Sequence, residues 1–289
     1  MNSTILILGC GDVGGALGKR LLDAGHRVIG ARRNVAMLPA GIEPLALDVG
    51  ANEPLESLPD ADILVYAISA DRFEESAYRS AYRDGLDAVL KVFENREHKP
   101  KRVLFVSSTS VYAQQQGETV DERSPTEPNG FSGQLMVEAE RRLIESPLPG
   151  SVVRFSGIYG PGRERLIQQV LEGRVAPSAP VMYSNRIHRD DCVGVLDWLI
   201  ARALGGQPLD DVYLGSDCEP TPISEVMGWL AKRLKVEPSS VIQSPLRRRA
   251  SKRCSNARLV ELGYRFTYPS FRDGYEQVIK EAGLGATVR

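Results

Sequence analysis

Residues 5–33 read ILILGCGDVGGALGKRLLDAGHRVIGARR. The apolar run Ile5–Leu8 is followed at once by glycines at 9, 11 and 14, and Val13, Leu17 and Leu21 then recur at the i, i+4, i+8 spacing of a helix face. Gly25 stands where a left-handed helix cap belongs, and the short apolar run Val28–Ala31 closes the stretch. A lone GxGxxG is weak evidence. Flanked by a strand, a helix and a second strand, Gly9-x-Gly11-x-x-Gly14 reads as a dinucleotide-binding turn. Gly9 permits the tight turn, Gly11 lets the backbone approach a pyrophosphate, and Gly14 allows the helix to pack closely on the strand. The helix start offers unpaired N–H groups and a partial positive charge, which makes Asp12 and Val13 candidate cofactor contacts beside the glycines.

The second strand ends in Arg32 and Arg33, where an acidic residue would accept hydrogen bonds from a free adenosine ribose. A guanidinium donates instead, which suits a 2′-phosphate, and it can stack on adenine. The residue chemistry therefore favours NADP, with NAD as the other candidate. Solvated arginines at a strand end are the plainer alternative.

Outward from this stretch, the runs ADILVYAI, KRVLFVSS and GSVVRFS are too continuously apolar to be half-exposed ribbons and read as buried strands. Helix patterns alternate with them, over about 71–95 and 133–145. The alternation predicts an α/β fold, a Rossmann-type doubly wound parallel sheet with helices on both faces. Past residue 156 the pattern loosens into glycine- and proline-punctuated segments. A helix is expected over about 190–203, then a strand in DVYLGS, then a helix with Thr221 as N-cap and Pro222 as its first residue. The expected division is a dinucleotide-binding domain over 1–156, to which 186–204 returns, and a smaller, partly interleaved substrate lobe within 157–289.

Composition excludes several classes. The 289 residues are 42% hydrophobic and 25% charged, ordinary for a globular chain able to bury a large core. A net charge of -1 gives no reason to expect nucleic acid or an anionic membrane. Three histidines and four scattered cysteines without a CxxC pair argue against a metal centre and a disulfide scaffold, so no metal ligands are assigned. The start of the chain leaves no room for a signal core before TILIL, and no apolar run approaches a membrane span. A cytoplasmic protein is expected.

The order of motifs resembles the extended short-chain dehydrogenase/reductase family, often labelled NAD-dependent epimerase/dehydratase, over nearly the whole chain. ALDVG is similar to the family's adenine-contacting acidic turn, which implies Asp48 and Val49 as contacts, and VYAIS matches the strand end along the cofactor, implying Tyr66 and Ala67. FVSSTSVYA resembles the segment carrying the catalytic Ser or Thr four residues before a tyrosine, here Ser108, with Ser107 beside it as a cofactor contact. VVRFSGIYGPGR resembles the strand and loop under the nicotinamide, implying Phe155 and Ser156. RIHRDD and LVELGYRFTYPSFRDGYEQVI resemble the later helix start and the closing segment. Relatives often dimerise through the helices placed here near 71–95 and 133–145, so the resemblance allows a homodimer.

One departure outweighs these matches. The family's chemistry rests on YxxxK, in which a tyrosine transfers a proton and a lysine lowers its pKa. The corresponding region reads PNGFSGQLMVEAERRL; one alignment places Gly130 and Gln134 at the two positions, the other Ser132 and Met136. The chain thus resembles the atypical branch that keeps the cofactor fold and lacks the acid/base pair. Two functions are compatible: an NADP-dependent oxidoreductase or epimerase acting on a small polar or nucleotide-linked substrate, and a non-catalytic NADP(H)-sensing module. His188 with Asp190 and Asp191 reads as helix capping before catalysis, Tyr112 as a packed residue, and the basic run Arg247, Arg248, Arg249, Lys252 and Arg253 as a solvated surface before a phosphate grip.

Overall fold

A computed structural model describes residues 2–50, 55–242 and 251–284. Seven strands, numbered here along the chain, form the central parallel sheet: β1 (Thr4–Leu8), β2 (Arg27–Arg32), β3 (Glu43–Ala46), β4 (Ile63–Tyr66), β5 (Arg102–Ser108), β6 (Gly150–Phe155) and β7 (Val212–Gly215). Their order across the sheet is β7-β6-β5-β4-β1-β2-β3, which reverses direction between β1 and β4. In such a sheet the carboxyl ends at the reversal open a crevice for ligands. The register sets Leu8 opposite Ala31 on one side and Tyr66 on the other. Ile5–Leu8 and Ile63–Tyr66 are wholly buried, as strands covered on both faces must be.

By its contacts the chain divides into two compact units. The first comprises 1–111, 126–154 and 193–213, and the second 112–125, 155–192 and 214–289.

In the first unit, α1 (Asp12–Asp23) buries Val13, Leu17 and Leu21, the face its spacing predicts. It ends at Gly25, whose φ of +85° is the left-handed cap conformation. The pattern over 71–95 forms a helix only from Glu75. Its middle, Arg79–Asp84, is a π-turn between α segments Glu75–Tyr78 and Gly85–Glu94. A buried side chain accompanies this widening: the Tyr66 hydroxyl donates to the Ala81 carbonyl at 2.6 Å, drawing on the helix backbone from the sheet. Helix Phe131–Ile144 packs alongside, where Arg142 bonds Asp87 at 2.6 Å and Glu94 at 2.8 Å. Helix Arg189–Leu204 begins in the second unit and runs into the first.

The core of the second unit gathers Tyr159, Ile167, Val226, Leu230, Phe271 and Ile279. Helix Ile223–Leu234 starts later than the Thr-Pro signal suggests. Pro222 is its N-cap and keeps an extended conformation, with ψ of 134°. Thr221 does not cap: it pairs with Ser184 in a short antiparallel bridge and turns its hydroxyl to the Glu219 carbonyl at 2.8 Å. Helix Phe271–Glu281 carries a capping box between Ser270 and Asp273. Among the described residues no helix is long and apolar enough to cross a membrane.

Candidate functional site

The glycine turn is fixed from both sides. The N–H groups of Gly9 and Cys10 donate to the Ala31 carbonyl at 3.1 and 3.0 Å, which ties the turn to the end of β2. Gly9 has φ of +87°, and a Cβ there would lie 2.5 Å from the Ala67–Ile68 peptide. A Cβ on Gly14 would lie 2.6 Å from the Gly9 carbonyl. These two glycines are demanded by the protein's own packing. Gly11 is different, because a Cβ there meets nothing within 4 Å. Its missing side chain leaves open space at the amino end of α1, where the positive end of the helix dipole favours an anion. That cradle fits a dinucleotide pyrophosphate. Asp12 and Val13 open α1 at this point, Asp12 exposed and Val13 buried toward the core.

Arg32 and Arg33 separate in role. Arg32 curls back over the turn, donating through Nη1 to the Cys10 carbonyl at 3.3 Å and the Met37 carbonyl at 3.2 Å. Arg33 makes a two-pronged exposed pair with Asp71 at 2.6 and 2.7 Å. Asp48 accepts from the Gly50 N–H at 3.0 Å, closing its own turn, and Val49 lies under Gly85. Tyr66 is fully buried against Phe105 with its hydroxyl committed to Ala81, which leaves its backbone as the part able to meet a cofactor. Ala67 presents its peptide to Gly9.

At the end of β5 the two serines diverge. Ser107 is buried and donates to Glu140 at 2.5 Å. Ser108 is half-buried and accepts from the Ser110 N–H at 3.2 Å, a local turn bond that leaves its own proton available. Glu140 also receives Arg154 of β6 through Nε at 3.0 Å and Nη2 at 2.6 Å. Glu140 and Arg154 of this network lay outside the sequence-based candidates, and Ser107 was expected only as a cofactor contact. Its signal was present: an acid on the apolar stripe Leu135, Met136, Ala139, Leu143, and an arginine inside the strand VVRF. Of the positions that could hold YxxxK, Ser132 is half-buried, Met136 buried and Gln134 exposed, and none carries a phenol or an ammonium.

In the second unit Phe155 and Ser156 are both buried, Ser156 bonding the Ser216 hydroxyl at 3.1 Å. Tyr112 is packed, its hydroxyl on the Asp121 carbonyl at 2.7 Å. His188 is fully buried between Gln277 Oε1 at 3.2 Å and the Asp190 N–H at 3.2 Å, and burial lowers its pKa. Asp191 does not cap its helix but anchors the closing segment, accepting from Tyr264, Thr267 and Tyr268 at 3.1, 2.8 and 2.9 Å. Beside it, Tyr159, Arg186 and Asp217 bury polar atoms without a hydrogen-bond partner among the described residues, and burial pushes the Asp217 carboxyl up to about 7. Arg247, Arg248 and Arg249 lie outside the described residues; Lys252 and Arg253 lie within them. Among the described residues no cluster suits a metal ion.

The model of the NAD dependent epimerase/dehydratase family matches residues 5–210. The chain belongs to that family. It is 29% identical over 282 residues to protein YeeZ of Escherichia coli (strain K12), covering 92% of this chain and 96% of YeeZ. It is 24% identical over 303 residues to a 3-diazoavenalumate denitrifying reductase of Streptomyces sp, covering 93% and 98% of the two chains. A solved structure from Methylobacillus flagellatus, described as a candidate NAD-dependent epimerase/dehydratase, is 36% identical with a TM-score of 0.83, over 98% of this chain and 100% of that one.

Proposed function

We propose that this protein is an NADP(H)-dependent oxidoreductase acting on a small polar substrate. The observation that carries the reading is the pairing of an open Gly11 cradle with Arg32 folded over the same turn. The turn would hold the pyrophosphate, and Arg32 would exchange its long bonds to the Cys10 and Met37 carbonyls for stronger charge-assisted bonds to a 2′-phosphate. Arg33 already has a carboxylate partner in Asp71 and contributes less. When bound, the cofactor supplies or accepts hydride. The protein adds position and Ser108, but no tyrosine and lysine at the YxxxK positions.

That absence selects among acceptors. A neutral ketone develops alkoxide charge during hydride transfer and depends on an acid; an iminium or other cationic electrophile does not. The reading therefore favours acceptors that are already electron-poor, and the reductase named among the relatives supports oxidoreduction over a purely sensing role. Fluorescence titration with NADPH and NADH tests the cofactor assignment. NADPH binds tighter, and Arg32→Ala removes most of the difference while Arg33→Ala removes little. Equal affinities in the wild-type protein would overturn the NADP assignment.

A further inference from the structure

Among the described residues Lys252 is a buried cation without an anion. It is 7% exposed, and its ammonium has one hydrogen bond, to the Tyr112 carbonyl at 3.3 Å, a long contact for a charged donor. Among the described residues no ion pair joins it to a carboxylate. The preceding stretch 243–250, QSPLRRRA, contains no acid that could serve. An ammonium removed from water without a counter-ion is strongly disfavoured, and a lysine so placed either gives up its proton more easily or gains from an anion that pairs with it.

The backbone around Lys252 is held from two sides. Gly117 N–H donates to the Ser251 carbonyl at 2.7 Å, and the Lys252–Cys254 strand pairs in parallel with Glu118–Val120. From the other side Asn185 clamps both ends of the strand, donating to the Lys252 carbonyl at 2.9 Å and accepting from the Cys254 N–H at 2.8 Å. The charged neighbours are committed elsewhere. Glu118 accepts from the Gln116 N–H at 2.7 Å, Asp121 from Ser124, and Arg253 donates to the Gly117 carbonyl at 2.8 Å over the Tyr183 ring. The strand that carries Lys252 is thus held firmly, while its ammonium keeps donors to spare for a partner.

We propose that Lys252 is the anchor for a carboxylate group of the substrate. Charge matching argues for a carboxylate over a phosphate: a single buried ammonium neutralises one negative charge and leaves a phosphate dianion half-compensated. This names the substrate class within the oxidoreductase reading, yet the site lies wholly in the second unit and can be probed without any nucleotide. Burial already lowers the Lys252 pKa, so a bound anion reveals itself by raising it.

The experiment follows lysine ε-¹³C signals by NMR in the full chain, with the Lys252 signal assigned by its loss in Lys252→Met. Titrations are run in chloride, acetate, benzoate, succinate and inorganic phosphate at equal ionic strength. Carboxylates are expected to raise the Lys252 midpoint by about one unit, a tenfold preference of the anion for the charged lysine. Phosphate shifts it less, and the neutral amide of benzoate leaves it unchanged. No shift with any of the three carboxylates, or a larger one with phosphate, overturns the proposal. Should Lys252→Met fail to fold, Lys252→Arg supplies the assignment and the wild-type titration still decides. Loss of NADPH binding with the carboxylate shift intact would sink the cofactor reading alone.

Discussion

At Gly11 no packing neighbour demands a glycine. Gly9 and Gly14 would bring a Cβ to 2.5 and 2.6 Å from main-chain atoms, whereas a Cβ on Gly11 faces open space. Gly11→Val is therefore expected to fold while abolishing binding of either cofactor, since the branched side chain fills the pyrophosphate's approach. Unchanged affinity in this variant would move the site away from the turn. Asp217 gives a second residue-scale test. Its pKa is raised by burial to about 7, above the value in an unfolded chain, so the folded state holds the proton more firmly. Stability from this group is complete below about pH 4 and is lost as pH rises toward 7, up to a few kcal/mol by linkage. Asp217→Asn should flatten the stability profile between pH 4 and 7 and stabilise the protein at pH 8. A denaturant midpoint at pH 8 that falls in Asp217→Asn would mean the buried carboxylate is compensated there.

Elements were legible where one local rule governed them. β1, α1 and the Gly25 cap follow from strand run, helix spacing and a left-handed glycine, and the structure has all three. Thr221-Pro222 misled because a distant pairing partner, Tyr183–Ser184, draws those residues into an extended bridge before the helix can start. The π-turn at Arg79–Asp84 was invisible because it is coupled to Tyr66, a residue of another element. The Glu140–Arg154 pair was readable only in part: each charge breaks an apolar pattern, but nothing local says that they meet. That pair joins helix Phe131–Ile144 to β5 and β6, with both groups almost completely buried. Glu140→Ala removes the buried carboxylate that Arg154 and Ser107 bond and should cost roughly 3–5 kcal/mol in urea unfolding. A loss below about 1 kcal/mol would show that water reaches Arg154 and that the network is not a structural brace.

For the molecule as a whole, the sheet order and glycine turn establish what the fold can hold more firmly than what it does with it. The candidate site shares that asymmetry: the cofactor side was written in spacing, while the chemistry depends on groups far apart in the chain. Ser107, adjacent to Ser108, is spent on Glu140, so of the two serines that end β5 it is Ser108 that has a proton to offer. Serine is a weak acid, and loss of a tuned tyrosine typically removes about 10²- to 10⁴-fold of rate. NADPH oxidation with ordinary aldehydes, ketones and sugar nucleotides should accordingly be slow, and faster with preformed iminium or other cationic acceptors. Ser108→Ala should lower turnover on any neutral acceptor that is used, with NADPH affinity and melting temperature nearly unchanged because its hydroxyl serves only a local turn bond. A stopped-flow absorbance panel separates the cases. Rapid reduction of a simple ketone that survives Ser108→Ala would show that another group delivers the proton, and both the preference for electron-poor acceptors and the role of Ser108 would fall together.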